Sequence, residues 1–278
     1  MDIRETEELT QADGAAGAAG AAAGAVGAAS GRYARHLVLA GVGKLGQETF
    51  GRAKVLVVGA GGLGSPVLLY LAAAGVGELG IVDGDQVEES NLQRQVAHTQ
   101  SDLGRPKVDS AADAVKALNP AIKVRTWPMR MGPDNAATLV KGYDVVVDAL
   151  DTIAARLYLN DACVDAGVPM VHAAATAWSG QVMTVVPGSG GPCYRCLFGD
   201  ATDDSLGPFL PARAGVLSSV PGVMGCIEAT EVLKLLLGAG DSLVGRLLVF
   251  DALRMTFDEV KVLADPECRC SARMRSQA

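Results

Sequence analysis

The residues best suited to chemistry begin with a glycine-rich turn. Lys54–Val58 (KVLVV) runs straight into Gly59-Ala60-Gly61-Gly62-Leu63-Gly64, and a helix-forming stretch follows. Such a turn brings backbone N–H groups at a helix N-terminus up to a phosphate, whose charge the helix dipole also favours. Asp83 lies 24 residues beyond Gly59, at the end of the next apolar run, where a carboxylate accepts hydrogen bonds from ribose hydroxyls. The pair predicts a nucleotide ligand. It leaves open which nucleotide, because NAD-dependent oxidoreductases use the same device.

The residues that follow narrow the choice. Asp85 is succeeded by Asn91-Leu92-Gln93-Arg94-Gln95 and then by Gly104-Arg105-Pro106-Lys107. Arg94 and Lys107 put two cations, and Asn91 an amide, just past the carboxyl ends of neighbouring strands. Hydride transfer has no use for them, since its cofactor carries the chemistry. Phosphoryl or nucleotidyl transfer does, because charge develops on phosphate oxygens. Asp151, shortly after the apolar run Asp144–Asp148, is placed to hold Mg²⁺ against a triphosphate or to cap the following helix, and the two roles are compatible.

The cysteines form a second constellation. Cys193-x-x-Cys196 and Cys268-Arg269-Cys270 offer four thiolates in two clusters, which suits a tetrahedral structural Zn²⁺. The alternatives are free thiols or, after oxidation, a disulfide, which a reducing compartment disfavours. Cys163 and Cys226 fall in predicted helices and read as small hydrophobes. His36, His98 and His172 pair with no evident nucleophile and read as packed or surface residues, and Trp127 and Trp178 as core or groove residues.

These groups need a scaffold that gathers them. Apolar runs at Lys54–Val58, Leu79–Val82, Ile122–Trp127, Asp144–Asp148 and Pro169–His172 alternate with helical stretches at about Ser65–Ala74, Arg105–Leu118 and Ile153–Ala166. Strands apolar on both faces and separated by helices predict a parallel sheet covered on both sides. The fold class is α/β, a doubly wound, Rossmann-like, mostly parallel sheet. It continues into a C-terminal mixed or antiparallel portion with strands at Gln181–Val186, Arg246–Phe250 and Glu259–Leu263 and a long helix at Gly225–Leu237. Phe198 to Val220 reads as a long loop.

Composition sets the outer limits. The 278 residues carry a formal charge of −7, which argues against a nonspecific nucleic-acid or anionic-membrane surface. Between Ala15 and Ser30, fourteen of sixteen residues are Ala or Gly, so residues 1–30 predict a disordered tail rather than core. Acidic residues precede that tract, which is unlike a signal peptide, and no apolar run has the length of a membrane span. The expectation is a cytoplasmic protein with one folded domain over residues 31–270 and a flexible end at 271–278.

Several stretches together resemble the ThiF/MoeB/HesA family, the bacterial relatives of ubiquitin-activating enzymes, and most closely its MoeB-type sulfur-carrier adenylyltransferases. They are Arg32-Tyr33-Ala34-Arg35-His36, the VLVVGAGGLGS turn, Asp83-Gly84-Asp85 through NLQRQ, Gly104–Lys107, the strand leading to Asp151, Pro192-Cys193-Tyr194-Arg195-Cys196 and Gly222-Val223-Met224-Gly225. The resemblance implies an enzyme that uses ATP and Mg²⁺ to adenylate the C-terminal Gly-Gly carboxylate of a ubiquitin-like sulfur carrier, releasing pyrophosphate. An alternative within the superfamily is adenylation of a small-molecule or RNA-attached carboxylate.

By position, the resemblance implies a nucleotide site of Gly59, Gly61, Gly62, Gly64, Asp83, Asp85, Asn91, Arg94 and Lys107, with Mg²⁺ on Asp151. It implies that Arg35 reaches the ATP site of a neighbouring subunit, hence a homodimer with Arg35, Arg94, Lys107 and Asp151 as its catalytic residues. Residues 31–176 would bind nucleotide, and residues 177–270 the carrier and zinc. The family's usual second cysteine cluster is Cys-x-x-Cys, one residue longer than here. Thr152 replaces an asparagine common after the metal aspartate. Some relatives carry a loop cysteine at a position that falls near Pro211, and this chain has none between Cys196 and Cys226. Adenylation without a loop-cysteine adduct is the expectation. No rhodanese-like region follows Cys270, so sulfur is expected from a separate donor protein.

Overall fold

The computed structural model describes residues 31–199, 201–202 and 214–271. The expected tail, the position near Pro211 and the residues after 271 lie outside the described residues.

Two helices, α1 (Ala34–Leu37) and α2 (Gly43–Arg52), precede β1 (Lys54–Val58). Neither is evident from the sequence, because Gly41, Gly43 and Gly46 interrupt the segment with residues that oppose helix. Then follow α3 (Gly64–Ala74), β2 (Glu78–Val82), α4 (Lys107–Leu118), β3 (Lys123–Trp127), α5 (Ala136–Leu139), β4 (Val145–Asp148) and α6 (Ile153–Ala166). The second half comprises β5 (Met170–Thr176), β6 (Ser179–Val185), α7 (Tyr194–Phe198), α8 (Ser219–Leu237), β7 (Arg246–Asp251) and β8 (Thr256–Lys261).

One eight-stranded sheet takes the order β3-β2-β1-β4-β5-β6-β7-β8. Pairing is parallel from β3 through β5 and antiparallel from β5 through β8, which is the expected change of character. Alternate residues of β1 feed two cores. Val55 and Val57 pack with Val67, Leu68 and Leu71 of α3 and with Met224 and Val232 of α8. Leu56 and Val58 join Ile153 and Leu157 of α6 on the other face. The chain leaves β1 toward β2 on one side and returns through β4 on the other, so the carboxyl ends of β1 and β4 open a crevice where such sheets bind ligands. Val58 pairs with Asp148 at that point.

Three boundaries differ from expectation. Helix α8 begins at Ser219, six residues before Gly225, because Pro221 sits in the first turn where its missing N–H costs nothing. Gly225 is inside the helix rather than at its start. A Cβ there would lie 2.5 Å from both the Leu63 carbonyl oxygen and Pro66 Cγ, so this glycine lets α8 close on α3. Strand β5 runs on to Thr176 and turns through Ala177-Trp178 into β6, the turn held by Ala177 N–H to the Gly215 carbonyl (2.7 Å) and Leu217 N–H to the Ala177 carbonyl (2.9 Å). Strand β8 is an exposed edge, and Phe257 stacked on Phe250 (centroids 4.7 Å apart) fixes its register earlier than the valines suggested. No helix among the described residues is long and apolar enough to cross a membrane.

Candidate active site

The glycines after β1 have two distinct jobs. Gly59 has φ +102, and a Cβ on it would lie 2.4 Å from the Ala149 carbonyl oxygen; at Gly64 a Cβ would lie 1.9 Å from the Gly59 carbonyl oxygen. These two allow the turn to close against itself and against the end of β4. Gly61 and Gly62 are the partly exposed pair, and a Cβ on Gly61 would meet nothing nearer than Gln95 Nε2 at 3.5 Å. Their backbone is the part of the turn that a phosphate can approach.

Between them and Gly59, Ala60 is pinned at both polar groups. Its N–H donates to Asp83 Oδ2 (2.8 Å), and its carbonyl faces His98 Nε2 (2.9 Å), whose Nδ1 lies 2.8 Å from the Ser110 hydroxyl. A carbonyl accepts only, so His98 carries its proton on Nε2. Burial, with help from the Lys107 charge, pushes the His98 pKa below its ordinary value despite the Ala60 carbonyl. The folded state therefore favours neutral His98. Its contribution to stability is complete above about pH 6.5 and is lost as pH falls below that value toward the lowered folded-state pKa. Thermal melts from pH 7.5 to 5.0 should show a falling midpoint, and the slope should be shallower in His98→Gln.

Asp83 and Asp85 organise the charges. The second Asp83 oxygen accepts the Asp85 N–H at 2.8 Å. Asp85 receives Lys107 Nζ at 3.2 Å and Arg130 Nη2 at 3.0 Å. Partial burial raises the Asp85 pKa, but the two cations outweigh it and hold the carboxyl below its usual range. Lys107 is buried, so Asp85 is the counter-ion that keeps its ammonium in place at the head of α4. Arg94 donates from Nη1 to the Ser90 carbonyl (3.0 Å), and its Cγ lies 3.4 Å from where a Gly62 Cβ would stand. Asn91 is buried. Its Oδ1 accepts the Glu88 N–H (3.2 Å), so it shapes the turn that presents Arg94. Asp151 is exposed three residues beyond Asp148, on the strand beside β1, and the N-cap position of α6 falls on Thr152. The helix-cap reading of Asp151 gives way to that of an available carboxylate.

The four expected cysteines converge. Cys193 Sγ lies 3.9 Å from Cys196 Sγ and 3.6 Å from Cys268 Sγ, and Cys196 Sγ lies 3.4 Å from Cys270 Sγ. All four sulfurs fall within 4.8 Å of one another. Tetrahedral Zn–S bonds of about 2.3 Å separate sulfurs by about 3.8 Å, so the donor set and its spacing fit zinc despite the shortened Cys-x-Cys. None is disulfide-bonded, since S–S bonding requires about 2.05 Å. Cys270→Ser should lower bound zinc, measured by atomic emission, from about one equivalent per chain to well below it, and lower the melting temperature.

Comparison with known proteins gives the family. The ThiF family is matched over residues 33–272. The chain belongs to the ThiF family. This family member is 50% identical over 237 residues to the SAMP-activating enzyme E1 of Haloferax volcanii, covering 85% of this chain and 87% of that one. It is 46% identical over 241 residues to the sulfur carrier protein adenylyltransferase of Thermus thermophilus, covering 85% and 89%. The crystal structure of E. coli MccB with AMPCPP and SeMet MccA has the same fold, with a TM-score of 0.76 at 24% identity over 86% of this chain and 73% of that one.

Within this ThiF-family chain, the structure gathers Asp83, Asp85, Arg94 and Lys107 beside the glycine turn, and it does not gather Arg35 with them. Tyr33 accepts a hydrogen bond from Asn119 Nδ2 (2.9 Å), and Arg32 Nη1 donates to the Leu118 carbonyl (2.8 Å), both residues closing α4. Gly75, at the far end of α3 from the turn, lies against Tyr33. Eleven residues of helix separate the two ends by about 16 Å. The Arg35 side chain is exposed on that opposite end and makes no ion pair among the described residues. Arg130 carries no motif in the sequence, and the spacing of His98 and His172 points to no partner for either. His172 Nδ1 in fact donates to Asp148 Oδ2 at 2.8 Å, with both side chains wholly buried. An acid ending an otherwise apolar strand was the available signal for that pair.

Proposed function

We propose that this chain is an ATP-dependent adenylyltransferase that activates the C-terminal glycine carboxylate of a ubiquitin-like sulfur carrier. The observation that carries the reading is the crevice at β1 and β4. The partly exposed glycine turn with Asp83, Arg94 beside Gly62, Lys107 on Asp85, and Asp151 beyond the end of β4 support the reading, which needs no activated nucleophile. One carboxylate oxygen of the carrier attacks the α-phosphorus of ATP, the bond from that phosphorus to the bridging oxygen breaks, and pyrophosphate leaves with the electron pair. No proton moves. Alignment and charge neutralisation are then the whole of the catalytic task.

Asp83 is the ribose acceptor, Gly61 and Gly62 offer N–H groups, and Arg94 and Lys107 meet the phosphate oxygens, with Asp85 orienting Lys107. Asp151 is the residue that would hold Mg²⁺, which supplies neutralisation of the departing pyrophosphate charge. The exposed Arg35, remote from its own crevice, supports a homodimer in which each chain lends this arginine to the other. The cysteine cluster supports structural zinc and a reducing, cytoplasmic setting. The sulfur comes from a separate donor protein, and the missing loop cysteine supports release of an acyl-adenylate rather than an enzyme-bound thioester.

The test is ATP–pyrophosphate exchange with purified Gly-Gly-ended carriers from the same genome. Exchange dependent on one of them, with a carrier mass increased by one AMP, is the expected result. Exchange driven instead by small-molecule or RNA-attached carboxylates, or by none, overturns it.

A further inference from the structure

Beneath the segment that carries Asp151 lies a buried ionic set that the adenylation reading leaves without a role. Asp148 Oδ1 accepts the Leu150 N–H at 3.2 Å, while Arg156 donates to the Leu150 carbonyl from Nε at 3.2 Å and also from Nη2. Both polar groups of Leu150 are therefore held, by opposite members of one ion pair, immediately before Asp151. Arg156 Nη2 reaches further to the Ala173 carbonyl (3.2 Å), which β4 no longer covers, and its Nε lies 4.0 Å from Asp148 Oδ1. His172, beside it, closes the remaining Asp148 oxygen.

The set is braced from outside the crevice. The Tyr194 side chain stands beside the Arg156 guanidinium and favours its charge. Tyr194 is 1% exposed, and its ring packs edge-on against His172 (4.6 Å) and stacks on Phe198 (4.5 Å). Its backbone belongs to the cysteine turn. The Tyr194 N–H donates to Asn160 Oδ1 (3.0 Å), and Asn160 Nδ2 contacts Cys193 Sγ (3.7 Å). Asn160 stands one turn along α6 from Arg156, so both ends of the brace rest on one helix. Burial alone would lower the Arg156 pKa, and Asp148 and Tyr194 more than offset it, so the guanidinium keeps its charge.

We propose that Tyr194 and Arg156 are positioning residues that fix the Leu150–Asp151 peptide, tying the aim of the Asp151 carboxylate to the cysteine turn. The proposal rests on the adenylation reading for what Asp151 does, but its geometry stands apart from it. Partners one shell away from a metal carboxylate commonly shift metal affinity by about 10- to 100-fold. Tyr194→Phe keeps the ring and its stacking and removes only the hydroxyl.

Three measurements on the full chain decide the matter. Hydrogen exchange of the Leu150 amide, set against β1 amides as control, should quicken by about tenfold in Tyr194→Phe and by more in Arg156→Lys. The Mg²⁺ concentration for half-maximal ATP–pyrophosphate exchange should rise about tenfold. ATP binding in excess EDTA should stay within about twofold of wild type, since a local shift of Asp151 leaves metal-free binding alone. Unchanged Leu150 exchange in a folded Tyr194→Phe variant overturns the proposal, as does a parallel loss of metal-free ATP binding, which marks general loosening. If the wild-type chain activates no carrier, the adenylation reading fails, and the Leu150 exchange rate still decides the brace.

Discussion

Asp151→Ala is expected to lower carrier-dependent ATP–pyrophosphate exchange on the order of 10³-fold, about 4 kcal/mol of transition-state stabilisation. The same substitution should leave the melting temperature within about 2 °C of wild type, because exposed side chains away from special features contribute little to stability. Both halves follow from its position. Asp151 is exposed beyond the end of β4, while the groups that hold its segment, Asp148 and Arg156, are buried beneath it and stay in place when the carboxylate goes. An Asp151→Asn variant sharpens the measurement, since it keeps the size and loses the charge that a hard cation requires. Steady-state exchange across a Mg²⁺ titration, with a thermal melt on the same samples, reads both effects. Activity retained within about tenfold would remove Asp151 from the site.

How far the sequence revealed this depends on whether the information was local. The β1 strand, the glycine turn and Asp83 were legible because each is a short pattern: an apolar run, a cluster of residues without Cβ, and an acid at the next strand end. The parallel half of the sheet was legible in the alternation of strand and helix, and its mixed or antiparallel half in the loss of that alternation; the strand order is the structure's own addition. Helix α2 was hidden because its glycines oppose helix locally, and packing outweighs propensity there. Gly46 has the Leu237 Cδ2 atom 3.0 Å from where a Cβ would stand, so α8 packs closely over this glycine and a larger residue would have to shift the Leu237 side chain.

Non-local partners were beyond reach. Arg130 meets Asp85 from 45 residues away, and His98 meets the Ala60 carbonyl from 38. Neither contact leaves a spacing that a reader could recognise. The four thiols were legible in the sequence although the second cluster is Cys-x-Cys, but their convergence is a property of the fold, which sets Cys196 and Cys270 3.4 Å apart across 74 residues. The glycines are instructive in the opposite sense. All four stand in one visible cluster, yet spacing does not divide Gly59 and Gly64, which close the backbone, from Gly61 and Gly62, which leave it partly exposed.

Arg94→Ala should reduce exchange by about 10²-fold, near 3 kcal/mol, comparable to the loss of a preorganised donor at a developing negative charge. Arg94 is half-buried rather than freely solvated. Its stem lies against Gly62, and its Nη1 donates to the Ser90 carbonyl, which leaves the rest of the guanidinium able to meet a ligand. Lys107 cannot stand in for it, because Asp85 holds that ammonium from the α4 side. Arg94→Lys separates charge from geometry. A lysine keeps the positive charge but lacks the planar fork that bonds Ser90 and a phosphate at once. The expected order is wild type, then Lys, then Ala, with the loss mainly in kcat rather than in KM for ATP, since the charge it meets grows as pyrophosphate departs. Equal activity of the Lys and wild-type proteins would reduce Arg94 to a point charge, and a loss confined to KM would make it a ground-state contact.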